Sequence, residues 1–157
     1  MTADQADTAL VTQWLSQLDA ALSHGDIEAA VSLFGTECYW RDLVALTWNI
    51  RTVEGRDGLR AMLEATVPHA KPQRFVLTAP PTRSGNVIEA WFSFETATGR
   101  GKGHLRLKDG LGFTILTTLQ ELKGHEERQG FTREMGITHG ADRSRRTWTE
   151  IRQQEQQ

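Results

Sequence analysis

Asp42 is the residue of this chain whose surroundings best suit proton chemistry. It stands in the run Cys38-Tyr39-Trp40-Arg41-Asp42-Leu43-Val44-Ala45-Leu46-Thr47-Trp48-Asn49-Ile50, where two tryptophans, an acid and a base sit among apolar residues. Read as a strand, the run puts Trp40 and Asp42 on one face and Tyr39, Arg41 and Leu43 on the other. An indole beside a carboxylate disfavours its charged form, which is how a fold tunes an acid towards general-base work. The competing expectation is an ion pair with Arg41 or Arg51 that fixes the strand, although the alternation points Arg41 away. His104 is the second candidate. It is the one histidine inside a predicted strand, and its residue type titrates near neutrality. Arg106 and Lys108 share its face, which reads as exposed or dimer-facing. Trp40, Trp48 and Trp91 could wall a pocket and stack on a flat ligand; tryptophans at alternating strand positions also serve as core or interface.

The elements that must position these residues follow from periodicity. Leu10, Val11, Trp14, Leu15, Leu18, Ala21 and Leu22 form a helical stripe over residues 8–23, with Asp7 as the expected N-cap and Gly25 as the stop. Asp26 caps a short second helix with Ile27, Ala30, Val31 and Phe34 inward, ended by Gly35. The Asp42 run follows as a first strand. Glu54-Gly55 leads into a third helix over residues 57–67, closed by Pro68.

The period then changes to two. Residues 73–79 alternate Phe75 and Leu77 against Arg74, Val76 and Thr78, and Pro80-Pro81 and Ser84-Gly85-Asn86 break the chain. Residues 87–98 put Ile88, Ala90, Phe92 and Phe94 on one face and Glu89, Trp91, Ser93 and Glu95 on the other. Gly99-Arg100-Gly101-Lys102-Gly103 is expected to join two strands, so it is not a phosphate-binding turn, which needs a strand-to-helix junction. Residues 103–108 alternate again, Asp109-Gly110 signals a two-residue hairpin, and residues 111–122 form the last strand. The order predicts an α+β fold, a curved antiparallel sheet wrapped around three N-terminal helices, forming a cone with one open mouth. The domain is expected over residues 1–123. Residues 124–157 read as an extended tail or linker with single apolar anchors at Phe131, Met135, Ile137 and Trp148.

Composition narrows the function classes. The chain has 157 residues, 38% hydrophobic and 24% charged, with a formal net charge of -2, which suits one soluble domain and gives no reason to expect nucleic acid. Its one basic cluster is Arg143-Ser144-Arg145-Arg146. The single cysteine, Cys38, excludes an internal disulfide and reads as a small buried hydrophobe. His24, His69, His125 and His139 have no metal-site spacing, so no metal is expected. The N-terminus is polar and acidic, unlike a signal peptide, and no apolar run reaches the length of a membrane span, so the expected location is cytoplasmic.

The order of elements, with Tyr39-Trp40-Arg41-Asp42 on the first strand and Glu54-Gly55-Arg56-Asp57 entering the third helix, resembles the nuclear transport factor 2-like superfamily over residues 8–122. That superfamily includes SnoaL-like polyketide cyclases, ketosteroid isomerases and scytalone dehydratases. Residues 38–50 look like the N-terminal domain found ahead of the flavin module in some bacterial flavin-containing monooxygenases. Gly136-Ile137-Thr138-His139-Gly140 and Arg145-Arg146-Thr147-Trp148 look like the segment joining the two parts. The resemblance implies a pocket, a homodimer through the sheet's outer face and a possible flavin monooxygenase partner. It implies no cofactor on this chain. It also implies a role for Asp42 as a base, since isomerases and cyclases carry a carboxylate in this region. The isomerase pattern has a tyrosine on the first helix as oxyanion donor, where this chain has Trp14. Its only tyrosine, Tyr39, faces away from Asp42, and the dehydratase set of tyrosine and paired histidines is not reproduced. Two functions remain open. One is a small-molecule-binding domain with an apolar pocket, accessory to a monooxygenase. The other is a cofactor-independent isomerase, dehydratase or cyclase acting on an apolar, carbonyl-bearing substrate.

Overall fold

A reciprocal cap at Thr2 starts the first helix five residues before the expected point. The computed structural model describes residues 1–133 and Arg152. In it, α1 spans Ala3–Ser23; Thr2 Oγ1 accepts from the Gln5 amide at 3.3 Å and Gln5 Oε1 accepts from the Thr2 amide at 2.9 Å. That capping box satisfies two helix-start donors at once. Asp7 is therefore not the cap: it is buried within the helix, and Arg83 donates to its carboxylate through Nη2 at 2.5 Å and Nε at 2.9 Å. The predicted stripe of α1 is buried from Val11 to Leu22, except Leu10.

Asp26 caps α2 (Ile27–Ser32) as expected, accepting from the Ala29 amide at 3.1 Å. The helix stops before Gly35, and other groups take the carbonyls of the two residues that follow it. Trp14 Nε1 and the Gly112 amide donate to Leu33 O at 3.0 and 2.9 Å, and Arg56 donates to Phe34 O from two nitrogens at 3.0 and 2.7 Å. Phe34 thus opens β1 (Phe34–Leu43) and does not belong to the helix. The run expected as one strand is a hairpin: β1 pairs antiparallel with β2 (Ile50–Glu54), from Tyr39 opposite Glu54 to Leu43 opposite Ile50.

The third helix, α3 (Gly55–Ala70), runs through Pro68, which was expected to close it. So near a helix end the proline forfeits one bond, to the carbonyl of Glu64, and the chain turns off only at Lys71, whose φ is 47°. The remaining strands are β3 (Gln73–Leu77), β4 (Thr82–Ser84), β5 (Val87–Glu95), β6 (Gly99–Lys108) and β7 (Leu111–Leu122), in the order β2-β1-β7-β6-β5-β3, with β4 beside β5. Every pairing is antiparallel except β1 with β7. Asp109 and Gly110, at φ 52° and 79°, make the predicted hairpin turn. The sheet is curved and unclosed, and its inner face carries Phe34, Trp40, Phe92, Phe94, Leu105, Leu107 and Ile115 into the core against the helices.

The glycine run does not connect strands; it lies inside β6. A Cβ on Gly101 would meet Phe94 Cζ at 2.4 Å, and one on Gly103 would meet Phe92 Cζ at 2.1 Å. Two phenyl rings of β5 lie across positions of β6 where nothing larger than hydrogen fits.

The chain divides into two compact units, Met1–Glu126 and Glu127–Gln157. The described part of the second contains a single 3-10 turn, Gly130–Thr132, and an ion pair of Arg133 with Glu127 at 3.1 Å. Phe131, expected as an anchor, has an exposed ring. Met135, Ile137, Trp148 and the linker-like segments 136–140 and 145–148 lie outside the described residues. Among the described residues no helix is long and apolar enough to cross a membrane.

Candidate functional site

Asp42 lies at the inner end of the β1–β2 loop and is fully buried. The alternation of β1 delivers it inward with Cys38 and Trp40, as predicted. The loop then folds back over it. The Leu46 amide lies 3.2 and 3.0 Å from its two oxygens, the Thr47 amide and Thr47 Oγ1 each 2.8 Å from Oδ2, and Thr117 Oγ1 2.6 Å from Oδ1. Trp40 Nε1 donates in turn to Thr117 Oγ1 at 3.0 Å, so the indole and the carboxylate are linked through a hydroxyl. These partners are neutral amides and hydroxyls; neither Arg41 nor Arg51 is among them. The arrangement holds six residues of loop in a strained path. Val44 and Trp48 have φ of 70° and 55°, left-handed values that a β-branched or bulky residue rarely adopts.

Of the other residues singled out from the sequence, only Trp40 lies beside Asp42. Trp40 is wholly inside the core, its ring 5.9 Å from Phe34. Trp48 projects from the loop, 60% exposed. Trp91 and His104 are opposite each other on β5 and β6, on the outer face of the sheet, with ring centroids 4.6 Å apart. Burial pushes the His104 imidazole below its ordinary pKa, Glu89 at 3.8 Å opposes that shift, and Arg106 adds to it. Five candidates thus occupy three places: core, loop tip and outer face.

The structure also forms a concavity of about 610 Å³ elsewhere, where the C-terminal ends of α1 and α3 meet the starts of α2 and β3. Leu22, Val67 and Pro72 are buried in its floor and Ile27 is half-buried. Ser23, His24, Glu64, Lys71 and Gln73 are exposed around it. Its size falls within the roughly 300–1,000 Å³ of small-molecule sites, and an apolar floor with few polar groups is their usual lining. His24 Nδ1 lies 2.7 Å from Ala20 O and donates to that carbonyl. Nothing in the sequence drew attention to these residues. Gly25 and Pro68 mark two helix ends, but only tertiary packing brings those ends together. Among the described residues no group of three or more His, Cys, Asp or Glu side chains could hold a metal.

No family model and no curated protein matches the sequence. Solved structures do. A domain of unknown function with a cystatin-like fold from Nostoc punctiforme aligns with a TM-score of 0.62 at 12% identity, over 77% of this chain and 80% of that one. A nuclear transport factor 2-like protein with a cystatin-like fold from Novosphingobium aromaticivorans aligns with a TM-score of 0.58 at 13% identity, over 74% and 84%. TerC, co-crystallised with polyporic acid, aligns with a TM-score of 0.50 at 16% identity, over 69% and 89%. The chain has the nuclear transport factor 2-like, cystatin-like α+β fold.

Proposed function

We propose that this chain is a small-molecule-binding domain without catalysis at Asp42, and that its ligand occupies the cleft between the ends of α1 and α3. The observation that carries the reading is the cleft itself, an apolar floor of Leu22, Val67 and Pro72 beneath open polar groups. The state of Asp42 supports it. A general base needs an unengaged lone pair facing a substrate, and this carboxylate is buried under four donors. TerC, of the same fold, has been crystallised with polyporic acid, which fits a binding role for such a domain.

The test is a binding screen by ligand-observed NMR on the full chain, repeated on Val67→Trp, which fills the cleft, and on Asp42→Asn. Binding lost in Val67→Trp and kept in Asp42→Asn supports the proposal; turnover or binding that depends on Asp42 overturns it in favour of an isomerase, dehydratase or cyclase. Pairing of two copies through the sheet's outer face is the second part of the proposal, supported by Val76 and Trp91, each 55% exposed there. Sedimentation of a monomer at every concentration would remove it.

A further inference from the structure

We propose that the cleft selects a ligand with an apolar body and a protonated amine, the ammonium seated against Glu64. The inference rests on the reading of the cleft as a ligand site and adds the chemistry of its ligand.

The polar side of the cleft carries one acceptor-only side chain, Glu64. Glu64 and Pro68 both line it, one turn apart on α3. Because proline has no N–H, the Glu64 carbonyl lacks its α-helical donor. The Glu64 carboxylate has no hydrogen bond or ion pair among the described residues, whereas Glu28 and Asp57 nearby are both engaged by Arg60. Two helices also end here. Each C-terminus carries roughly half a negative charge, and α1 has no basic residue in its last turn to offset it.

Lys71 is the one lysine or arginine on the cleft lining, and the positive start of α2, capped by Asp26, also borders it. Lys71 is exposed to water and shares the lining with the Glu64 carboxylate and two helix C-termini. An anionic ligand would meet the Glu64 carboxylate there. An ammonium meets acceptors on several sides, and a charge-assisted hydrogen bond is about twice as strong as a neutral one. The floor of Leu22, Val67 and Pro72 then takes the apolar body.

The experiment is a ¹H–¹⁵N NMR titration of the full chain at neutral pH with three probes of equal length: n-hexylamine, n-hexanol and hexanoate. The expected result is a shift of the Leu22, Gly25, Val67 and Lys71 amides, with hexylamine about tenfold tighter than hexanol. Glu64→Gln should bring the amine down to the alcohol. Pro68→Ala, which restores the donor to the Glu64 carbonyl, should weaken the amine severalfold and leave hexanol unchanged. Both substitutions fall on exposed positions, so a native-like spectrum is expected of each. Tighter binding of hexanoate, or an amine affinity indifferent to Glu64→Gln, overturns the ammonium while leaving the cleft as a ligand site. If none of the three probes perturbs the cleft amides, the cleft reading falls and the ammonium with it.

Discussion

Asp42 and Glu64 are both carboxylates set against apolar residues, and they occupy opposite chemical situations. Asp42 is buried, and every oxygen lone pair that matters is claimed by the β1–β2 loop or by Thr117. Glu64 is exposed on a cleft, with no partner for its side chain among the described residues and none from Pro68 for its carbonyl. The contrast teaches where to look for binding. A folded chain closes its polar groups where it needs rigidity and leaves them open where something else must complete them. The acid beside a tryptophan is the more eye-catching in sequence, yet here it is the closed one.

The largest effect that would break the comparison comes from Asp42→Ala. It strands the buried Leu46 amide, the part-buried Thr47 amide and the Thr117 hydroxyl, each unsatisfied buried group costing about 1–3 kcal/mol, so urea unfolding should show a loss of roughly 3 kcal/mol. A variant as stable as the parent would mean that Asp42 is not an anchor.

Asp7 provides a third carboxylate, closed by a charge instead of by neutral donors. The hydrogen bond from Arg83 holds it below the usual carboxylate range, against the opposing effect of burial, and the guanidinium charge adds to the lowering. Its stabilising contribution is complete above the unfolded pKa near 4 and fades as pH falls through the depressed value. Arg83→Met should therefore be less stable than the parent near neutrality, the difference shrinking in strongly acidic solution. A difference independent of pH would assign the contact to packing alone.

A smaller change tests the strain that Asp42 maintains. Trp48→Gly relieves a left-handed φ at a mostly exposed side chain and should raise the unfolding free energy by roughly 0.5–1 kcal/mol. A loss instead would show that the indole is held in place by its own packing.

Legibility in the sequence followed the range of the forces involved. The inward placement of Trp40 and Asp42, the Asp26 cap, the Asp109-Gly110 hairpin and the bounds of β7 all depend on neighbours in the chain, and each was readable. The start of α1 lies in a local signal, the Thr2-x-x-Gln5 capping box, while Asp7, also a good cap residue, is instead held by Arg83, far away in sequence. The β1–β2 hairpin was hidden because Val44 and Trp48 take left-handed values with no glycine or asparagine to announce them. Pro68 passed for a terminator since its effect depends on how close the helix end lies. The partners of Asp42 were half legible: Leu46 and Thr47 are local, whereas Thr117 is 75 positions away. The cleft was not legible, because it exists only where separate helix ends converge.

The glycines of β6 set a different kind of limit on this sequence. At Gly101 and Gly103 any side chain would have to occupy the space of Phe94 or Phe92 and also approach the carbonyls of Thr118 or Leu116 to 2.5 Å. A saturation scan along this strand should therefore read as a barcode: intolerance at 101 and 103, latitude at the alternating, outward-facing Arg100 and Lys102. Drift can rewrite the outer surface of the sheet freely while the bend beneath it stays fixed, which lets one bent sheet carry many surfaces.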